Sequence, residues 1–223
     1  MAERAATPRL WLPDRPTEIA GYILEEAQPG DGARIAEILG EAIVGAYTHS
    51  GEREKSRVLV YRNESLWERK GPVYWEDHIH TIRSQDCPKE KIWVVRCHTT
   101  GQADGFAINV QDEESTLGKM DGLYVWPDQQ GKGLGTLLLR QILTYNSDQG
   151  RTTYAYVTQR TPAVDFYKNA GAVVAREGLL GPAAITEQYS LSLTQCVIAF
   201  PWGSLEERER QMSAVWVLLD RPD

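Results

Sequence analysis

Apolar residues recur at the spacing of an amphipathic helix in four parts of the chain. The predicted helices are 33–46, 73–84, 135–146 and 163–170. Ahead of the last of them, Thr161 provides a cap and Pro162 a first-turn proline, and Gly171 is a residue type preferred just past a helix end. Runs of β-branched, aromatic and other apolar residues between turn residues predict seven strands. These strands are 21–27, 92–97, 104–110, 119–125, 152–158, 172–177 and 185–193.

Composition adds limits to this alternation of strands and helices. A chain of 223 residues fits one domain with extensions, or two very small ones. A net charge of -7 argues against general nucleic-acid binding, which usually leaves a basic footprint. We find no apolar run long enough to span a membrane, and the first sixteen residues lack the apolar core of a secretion signal. We therefore expect a cytoplasmic protein without nucleic-acid or membrane partners.

The cysteines and histidines do not follow metal-ligand spacing. The three cysteines are widely separated and odd in number, which favours reduced thiols over a disulfide framework. His78 and His80 are two residues apart, so on a helix they face different ways. We expect no metal site.

The stretch from Leu123 to Ile142 is the most informative for chemistry. Three glycines, Gly131, Gly133 and Gly135, separate a predicted strand from a predicted helix. Backbone N–H groups at a helix start have no partner in their own helix, and the helix dipole adds partial positive charge there. Such a loop favours a phosphate group. The sequence therefore predicts a phosphorylated cofactor, and the alternative is a glycine-rich turn without a ligand.

The glycine spacing excludes two common phosphate loops. A dinucleotide loop reads G-x-G-x-x-G, but Thr136 stands where its third glycine belongs. A nucleoside-triphosphate loop needs G-x-x-x-x-G-K followed by Ser or Thr, and the chain has no such run. The remaining pattern is Gln130-x-x-Gly133-x-Gly135 after Val-x-Pro. It resembles the acetyl-CoA loop of the GNAT N-acetyltransferase superfamily.

This resemblance implies a fold and a domain division. The expected GNAT fold is α/β (α+β), with a central mixed, mostly antiparallel sheet of about six to seven strands and about four flanking helices. It would occupy 21–193, after an N-terminal arm at 1–20. Residues 194–223 would form a C-terminal extension packed on the core or on a partner subunit. Members of the family are often dimers, so a homodimer is one expected arrangement.

The resemblance also implies acetyl-CoA as co-substrate. The pyrophosphate would lie against the backbone amides of Gly131, Lys132, Gly133, Leu134, Gly135 and Thr136. Backbone groups of Leu123, Tyr124 and Val125 would pair with the pantetheine arm. Gln130 would tie the loop down or donate to a phosphate oxygen. Lys132 would either reach a phosphate or stand in solvent.

A second family motif matches 161–171, TPAVDFYKNAG, with Ala163, Phe166, Tyr167 and Gly171 in register. Tyr167 takes the place of the family tyrosine that donates a proton to the departing thiolate. A phenol with a pKa near 10 stays protonated at neutral pH and suits that role. A packing tyrosine is the alternative. Arg160 replaces the family asparagine, so it would contact a phosphate instead of the pantetheine arm.

The general base is the least determined role. Asp121 is the first candidate, because it alternates with Leu123 and Val125 on one face of a strand where some family members carry an acidic base. Glu113, Glu114, a base acting through water, or entry of the neutral amine are the alternatives. Tyr154 and Tyr156 share a strand face near the expected acyl position.

The resulting functional hypothesis is an acetyl-CoA-dependent N-acetyltransferase. It would transfer the acetyl group to a primary amine of a small molecule or peptide by direct attack on the thioester. The acceptor site would be shaped by 33–84 and 172–193, with Trp67, Tyr74 and Trp75 as candidate wall residues in or beside 48–72. An acyltransferase with a different acyl-CoA, and a non-catalytic acyl-CoA-binding module, are the alternatives.

Overall fold

A computed structural model of the chain describes residues 18–47, 70–85, 89–111, 115–159, 161–180 and 194–219. Its strands are β1 Glu18–Ile19, β2 Tyr22–Glu26, β3 Glu90–Cys97, β4 Ala103–Gln111, β5 Leu117–Val125, β6 Thr152–Thr158, β7 Val173–Leu180 and β8 Thr194–Phe200. Its helices are α1 Gly32–Tyr47, α2 Pro72–Arg83, α3 Leu134–Asp148, α4 Pro162–Asn169 and α5 Leu205–Leu219. A short 3-10 turn, Pro127–Gln129, follows β5. All four helices predicted from periodicity are present.

The strands form one mixed sheet. Their order is β1-β2-β3-β4-β5-β6-β8-β7, and β1 is only two residues long. Neighbouring strands are antiparallel except β5 and β6, which are parallel. The predicted mixed, mostly antiparallel architecture is therefore confirmed, with one more helix in the described residues than was expected.

The predicted boundary at residue 193 does not agree with the structure. Thr194–Phe200 is a strand inside the sheet, between β6 and β7, rather than the start of an extension. Its apolar residues Cys196 to Phe200 are all buried. A continuous apolar run of this kind is equally consistent with a tail docked on the core, so the sequence pattern does not identify it as a strand. Only α5 remains as an added element, and its Val215 packs with Val197 of β8. The strand predicted at 185–193 lies outside the described residues.

Helices cover both faces of the sheet. On one face, α1 and α2 pack against β3 and β4 around residues such as Ile35, Trp75 and Phe106. On the other, α3 and α4 pack around Leu138 and Ile198. Alternate residues of β5 therefore face α1 and α2 on one side of the sheet and α3 and α4 on the other.

A buried polar network holds α3 to the sheet where β5 meets β6. Asn146 Nδ2 donates to Asn109 Oδ1 at 2.8 Å and to Thr153 Oγ1 at 2.9 Å, and Asn109 Nδ2 donates back to Asn146 Oδ1 at 3.0 Å. A Cβ on Gly118 would come within 2.4 Å of the Asn146 amide group, so glycine is required there for this close approach. The network fixes the closed end of the cleft between β5 and β6.

Within the described ranges, no helix has both the length and the apolarity to cross a bilayer.

Candidate active site

The two parallel strands in the middle of the sheet separate after a short contact. β5 and β6 pair only through Leu117–Lys119 and 152–154. Beyond that point they diverge and leave a cavity of about 500 Å³. It is lined by residues 119–124 of β5, 155–158 of β6, Thr161, Ala163 and Tyr167 around α4, Gln195 of β8 and Ala46 of α1. This volume lies within the range of ligand pockets, about 300–1,000 Å³.

The edge of β5 presents backbone groups to this cleft. The amide of Trp126 donates to the carbonyl of Asp104 at 2.8 Å, and Val125 lies opposite Gly105. Because ladder bonds alternate along an antiparallel pair, the backbone groups of Tyr124 turn toward β4 and those of Leu123 and Val125 turn away from it. Of the three residues predicted to pair with a pantetheine arm, Leu123 and Val125 have the required orientation. Tyr124 instead contributes its ring to the α1–α2 face, beside Phe106.

The glycine loop joins the end of β5 to α3. Gly131 and Gly133 have positive φ angles of 78° and 86°, a conformation that L residues with side chains rarely adopt. Gly133 occupies the N-cap position of α3, and no side chain caps the helix. The amides of Leu134, Gly135 and Thr136 in the first turn therefore lack intrahelical partners. This is the local geometry predicted for a phosphate group.

Two side-chain bonds fix the loop. Gln130 Nε2 donates to the carbonyl oxygen of Val125 at 3.2 Å, which is one of the two roles expected for Gln130. Lys132 Nζ donates to Gln129 Oε1, which also accepts from the Tyr22 hydroxyl at 3.0 Å. Lys132 is therefore held beside the loop by a residue of the loop itself.

Gly135 lies in the first turn of α3 and faces the sheet. A Cβ at this position would lie 3.6 Å from Phe166 and 3.7 Å from both Leu123 and Val125. It would point toward β5 and α4 rather than out of the loop. These are ordinary van der Waals distances, so a Cβ fits at this position and would not stand between a phosphate and the amides.

Tyr167 lies inside the cleft. The residue is 6% exposed, lines the cavity, and packs edge-to-face with Phe166 and Phe200. Within the described part of the chain, its hydroxyl has no hydrogen-bond partner. Burial raises the pKa of this phenol well above its usual value near 10. Tyr167 therefore remains protonated and is available to donate toward a group in the cavity.

Asp121 does not share a face with Leu123 and Val125, as simple alternation predicted. Gly122 lies opposite Ile108 and Met120 opposite Asn109, so Asp121 is an extra residue in a β-bulge. The shift places Met120, not Asp121, in the cluster with Leu123 and Val125.

The Asp121 carboxylate points to the α2 face of β5. It is ion-paired with Lys119, and its side chain is 35% exposed. Burial, Glu90 and Asp121 together raise the pKa of the Tyr74 phenol at the start of α2. Asp121 therefore lines the cavity from the α1–α2 face of the sheet, whereas Tyr167 belongs to the cluster on the α3–α4 face.

The remaining predicted residues divide into three groups. Tyr156 lines the cavity and is partly exposed, with Tyr154 at a ring distance of 6.1 Å. Trp75 is a core residue, only 2% exposed, and so is not a cavity wall, whereas Tyr74 stacks on His78. The candidates Arg160, Glu113, Glu114 and Trp67 lie outside the described residues.

Sequence reasoning missed several cavity residues. Lys119, Thr158 and Gln195 line the cleft although no motif contains them. Gln195 arrives through the insertion of β8 beside β6, which no local pattern indicates. Within the described residues, no group of three or more His, Cys, Asp or Glu side chains has the geometry to hold a metal ion.

Part of the chain is similar to a known protein family. Residues 88–171 match the family model of the acetyltransferase (GNAT) domain. Over this range the chain is similar to the GNAT superfamily. The matched range runs from the residues before β3 to the end of α4, so it includes the β5 edge, the glycine loop and Tyr167. A search of curated proteins found no significant match.

Solved structures similar to this chain share its fold at low sequence identity. The PaiA N-acetyltransferase from Thermoplasma acidophilum, in complex with coenzyme A, is 16% identical with a TM-score of 0.61, covering 79% of this chain and 97% of that one. An N-acetyltransferase from Staphylococcus aureus Mu50 is 16% identical with a TM-score of 0.57, covering 80% and 96%. The YncA protein from Salmonella typhimurium, with its cofactor acetyl-CoA, is 17% identical with a TM-score of 0.52, covering 80% and 92%.

Proposed function

We propose that this chain is a GNAT-type, acetyl-CoA-dependent N-acetyltransferase acting on a primary amine of a small molecule or peptide. The observation that carries the proposal is the cleft between β5 and β6. It has an uncapped helix start and a glycine loop at one end, and a buried phenol inside that has no hydrogen-bond partner among the residues that the structure describes.

The residues present fit coenzyme A. The first-turn amides of α3 have no side-chain cap, and a Cβ at Gly131 would meet nothing within 4 Å, so the loop is open. These amides and the helix dipole favour a diphosphate, and Lys132 adds a positive charge within reach. Two structures with the same fold contain coenzyme A or acetyl-CoA, which supports this choice.

The exposed edge of β5 would hold the pantetheine arm. Leu123 and Val125 direct backbone groups into the cleft, where an extended amide chain can add as a short strand. The Val125 carbonyl already accepts from Gln130, which leaves the Leu123 groups and the Val125 amide for this pairing. Acetyl-CoA, when bound, supplies the acetyl thioester. An amide of β5 near its carbonyl would act as an oxyanion-type donor.

Tyr167 would supply the proton that the sulfur takes up. Tyr167 lines the cavity, and the raised pKa of its phenol keeps it protonated at neutral pH. The usual pKa of a thiol, near 8.5, lies below that of this phenol, so the hydroxyl would stabilise the departing thiolate by donating a strong hydrogen bond to sulfur as the C–S bond breaks, and full transfer of the proton would require the phenolate to be reprotonated from solvent.

Asp121 would accept the proton of the amine, directly or through a water molecule. The carboxylate lines the same cavity as Tyr167 but from the opposite face of the sheet. This division lets the amine approach from the α1–α2 side while the sulfur lies on the α3–α4 side. Entry of the neutral amine without a dedicated base is the competing arrangement.

A phosphate contact from Arg160, a cytoplasmic location and a homodimer complete the proposal. The general net charge of -7 and the absence of a basic footprint in the sequence disfavour a nucleic-acid substrate.

Release of free thiol from acetyl-CoA across a panel of amines tests the function. The panel should contain polyamines, aminoglycosides, amino acids and peptides, with longer acyl-CoA donors in parallel. We expect acetyl-dependent thiol release with at least one amine class and an acetylated product of the correct mass. Binding of acetyl-CoA without turnover on any acceptor would favour the non-catalytic module, and faster turnover with a longer donor would favour a different acyltransferase.

A further inference from the structure

The cavity has one feature that the acetyl-transfer chemistry does not require. Among the described residues that line it, the charged ones are Lys119 and Asp121, and they are paired with each other. Lys119 Nζ also lies 5.9 Å from the centre of the Tyr156 ring. A cation therefore stands next to the carboxylate proposed to receive the amine, although the chain as a whole is acidic.

This pair is accessible to a ligand. The side chains of Lys119 and Asp121 are 37% and 35% exposed, so water and solutes reach both groups. Ion pairs with this exposure contribute little to stability, so a charged ligand can replace one of the two partners at small cost. The other polar groups that line the cavity, such as Thr158, Thr161 and Gln195, are uncharged and do not compensate either member.

The charge of an acceptor decides what happens to this pair. An amine is an ammonium ion at neutral pH, and it would compete with Lys119 for Asp121. A simple monoamine that displaces Lys119 leaves that lysine without an anion. A diamine places a second positive charge near Lys119, and like charges at short range repel. An acceptor with both an amine and an anionic group offers one partner to each side chain.

We propose that the acceptor carries a carboxylate or a similar anionic group besides its amine, and that Lys119 binds this group while Asp121 faces the amine. The proposal rests on the proposed function and names the substrate class of the same site. Lys119 is then a specificity-determining residue that contacts the acceptor but not the reacting atoms.

The test uses amino acids and the amines obtained by removing their carboxyl group, such as phenylalanine with phenethylamine, tyrosine with tyramine and lysine with 1,5-diaminopentane. Each pair shares its carbon skeleton and differs in the carboxylate. For the wild-type protein we expect kcat/KM to favour the carboxylate-bearing member at least tenfold in the pairs that are acetylated. Short glycine peptides, each compared with its C-terminally amidated form, extend the series.

The Lys119→Met variant separates binding from structure. We expect its KM for the carboxylate-bearing acceptor to rise at least tenfold, with kcat within about twofold and unchanged affinity for coenzyme A. Lys119→Glu should reverse the preference toward the decarboxylated amines. Lys91→Met is the matched control, since Lys91 forms an ion pair with Glu26 at 2.9 Å on the same sheet but outside the cavity. Lys91→Met should leave the ratio of kcat/KM values within each pair unchanged.

The outcomes distinguish this inference from the function on which it depends. Turnover with equal or greater preference for monoamines or diamines would overturn the inference and leave the acetyltransferase intact. A Lys119→Met variant that loses both members of a pair equally would show a structural role only, and would also overturn it. Turnover on other amines of the wider panel but on no member of these pairs would overturn the inference alone, and binding of acetyl-CoA without turnover on any amine of either set would overturn both proposals.

Discussion

The side-chain amide of Gln130 donates to the carbonyl oxygen of Val125 over 3.2 Å. This bond closes the glycine loop onto the last residue of β5. It therefore fixes the distance between the free amides at the start of α3 and the exposed edge of the strand. Both features are needed at once by a ligand that has a diphosphate at one end and an amide chain at the other.

Replacing Gln130 with alanine should weaken the binding of coenzyme A. Loss of one such hydrogen bond costs about 1 kcal/mol, which corresponds to an increase in Kd of about fivefold. Isothermal titration calorimetry measures it. Gln28→Ala is a suitable control, because the Gln28 side-chain amide donates to the Glu26 carbonyl at 2.9 Å far from the loop. Equal affinities of Gln130→Ala and the wild type for coenzyme A would show that binding does not require the hydrogen bond from Gln130 to Val125.

Replacing Tyr167 with phenylalanine should lower kcat by about 10²- to 10³-fold, because a positioned general acid contributes about 10²- to 10⁴-fold. The ring contacts with Phe166 and Phe200 remain, so folding and coenzyme A affinity should be preserved. Steady-state kinetics by thiol release provides the measurement. Tyr145→Phe, whose ring packs on Trp93 in the same cluster but outside the cavity, should keep full activity. An unchanged rate for Tyr167→Phe would leave Tyr167 as a packing residue.

The buried phenol also predicts a pH dependence of stability. Burial raises the pKa of Tyr167 in the folded protein, whereas in the unfolded chain it ionises near pH 10. The stabilisation it gives relative to Tyr167→Phe is therefore constant below about pH 10. Above that pH it falls by up to about 1.4 kcal/mol per pH unit, because the unfolded chain releases its proton first.

Urea unfolding of both proteins at pH 8 and pH 11 measures this difference. The other tyrosines with raised pKa values, Tyr22 and Tyr74, are present in both proteins and cancel in the comparison. The free energy of unfolding of the wild type should fall relative to that of the variant between the two pH values. A difference independent of pH would mean that the folded protein ionises Tyr167 as easily as the unfolded chain does.

The network beneath the cleft makes Asn146 important for stability. Asn146→Ala would leave three buried groups without this partner, namely Nδ2 and Oδ1 of Asn109 and the hydroxyl of Thr153. Each such group costs about 1–3 kcal/mol, so we expect a total loss of at least about 3 kcal/mol in urea unfolding. Ser147→Ala removes only a bond to the Thr144 carbonyl in the same helix and should cost below about 1 kcal/mol. A similarly small cost for Asn146→Ala would contradict the assigned role.

Much of the fold is readable from local pattern. The four predicted helices have one apolar face each, and the first six predicted strands end within a few residues of the observed ones. The last described strand was missed because Cys196–Phe200 is apolar throughout, and continuous burial gives no alternation to distinguish a central strand from a docked tail. Which strands are neighbours depends on contacts between distant residues, which a local pattern does not contain.

The residues of the site also fall into those that a local sequence pattern predicts and those that it does not. Gln130, Gly133 and the start of α3 are contiguous in sequence, so their geometry follows from a short motif. The bulge at Asp121 arises from a register shift against β4, and simple alternation assigned that residue to the wrong face. Lys119 and Gln195 reach the cleft only through the pairing of β5, β6 and β8, so no local signal could have identified them.

Calorimetric titration of the protein with coenzyme A, compared with pantetheine, tests the central claim most directly. Pantetheine keeps the amide arm and the thiol but lacks the diphosphate that the amides near Gly133 are proposed to bind. We predict one binding site for coenzyme A and an affinity for pantetheine at least a hundredfold weaker. The absence of heat with millimolar coenzyme A, together with no rise in melting temperature, or equal affinities for the two ligands, would contradict the account.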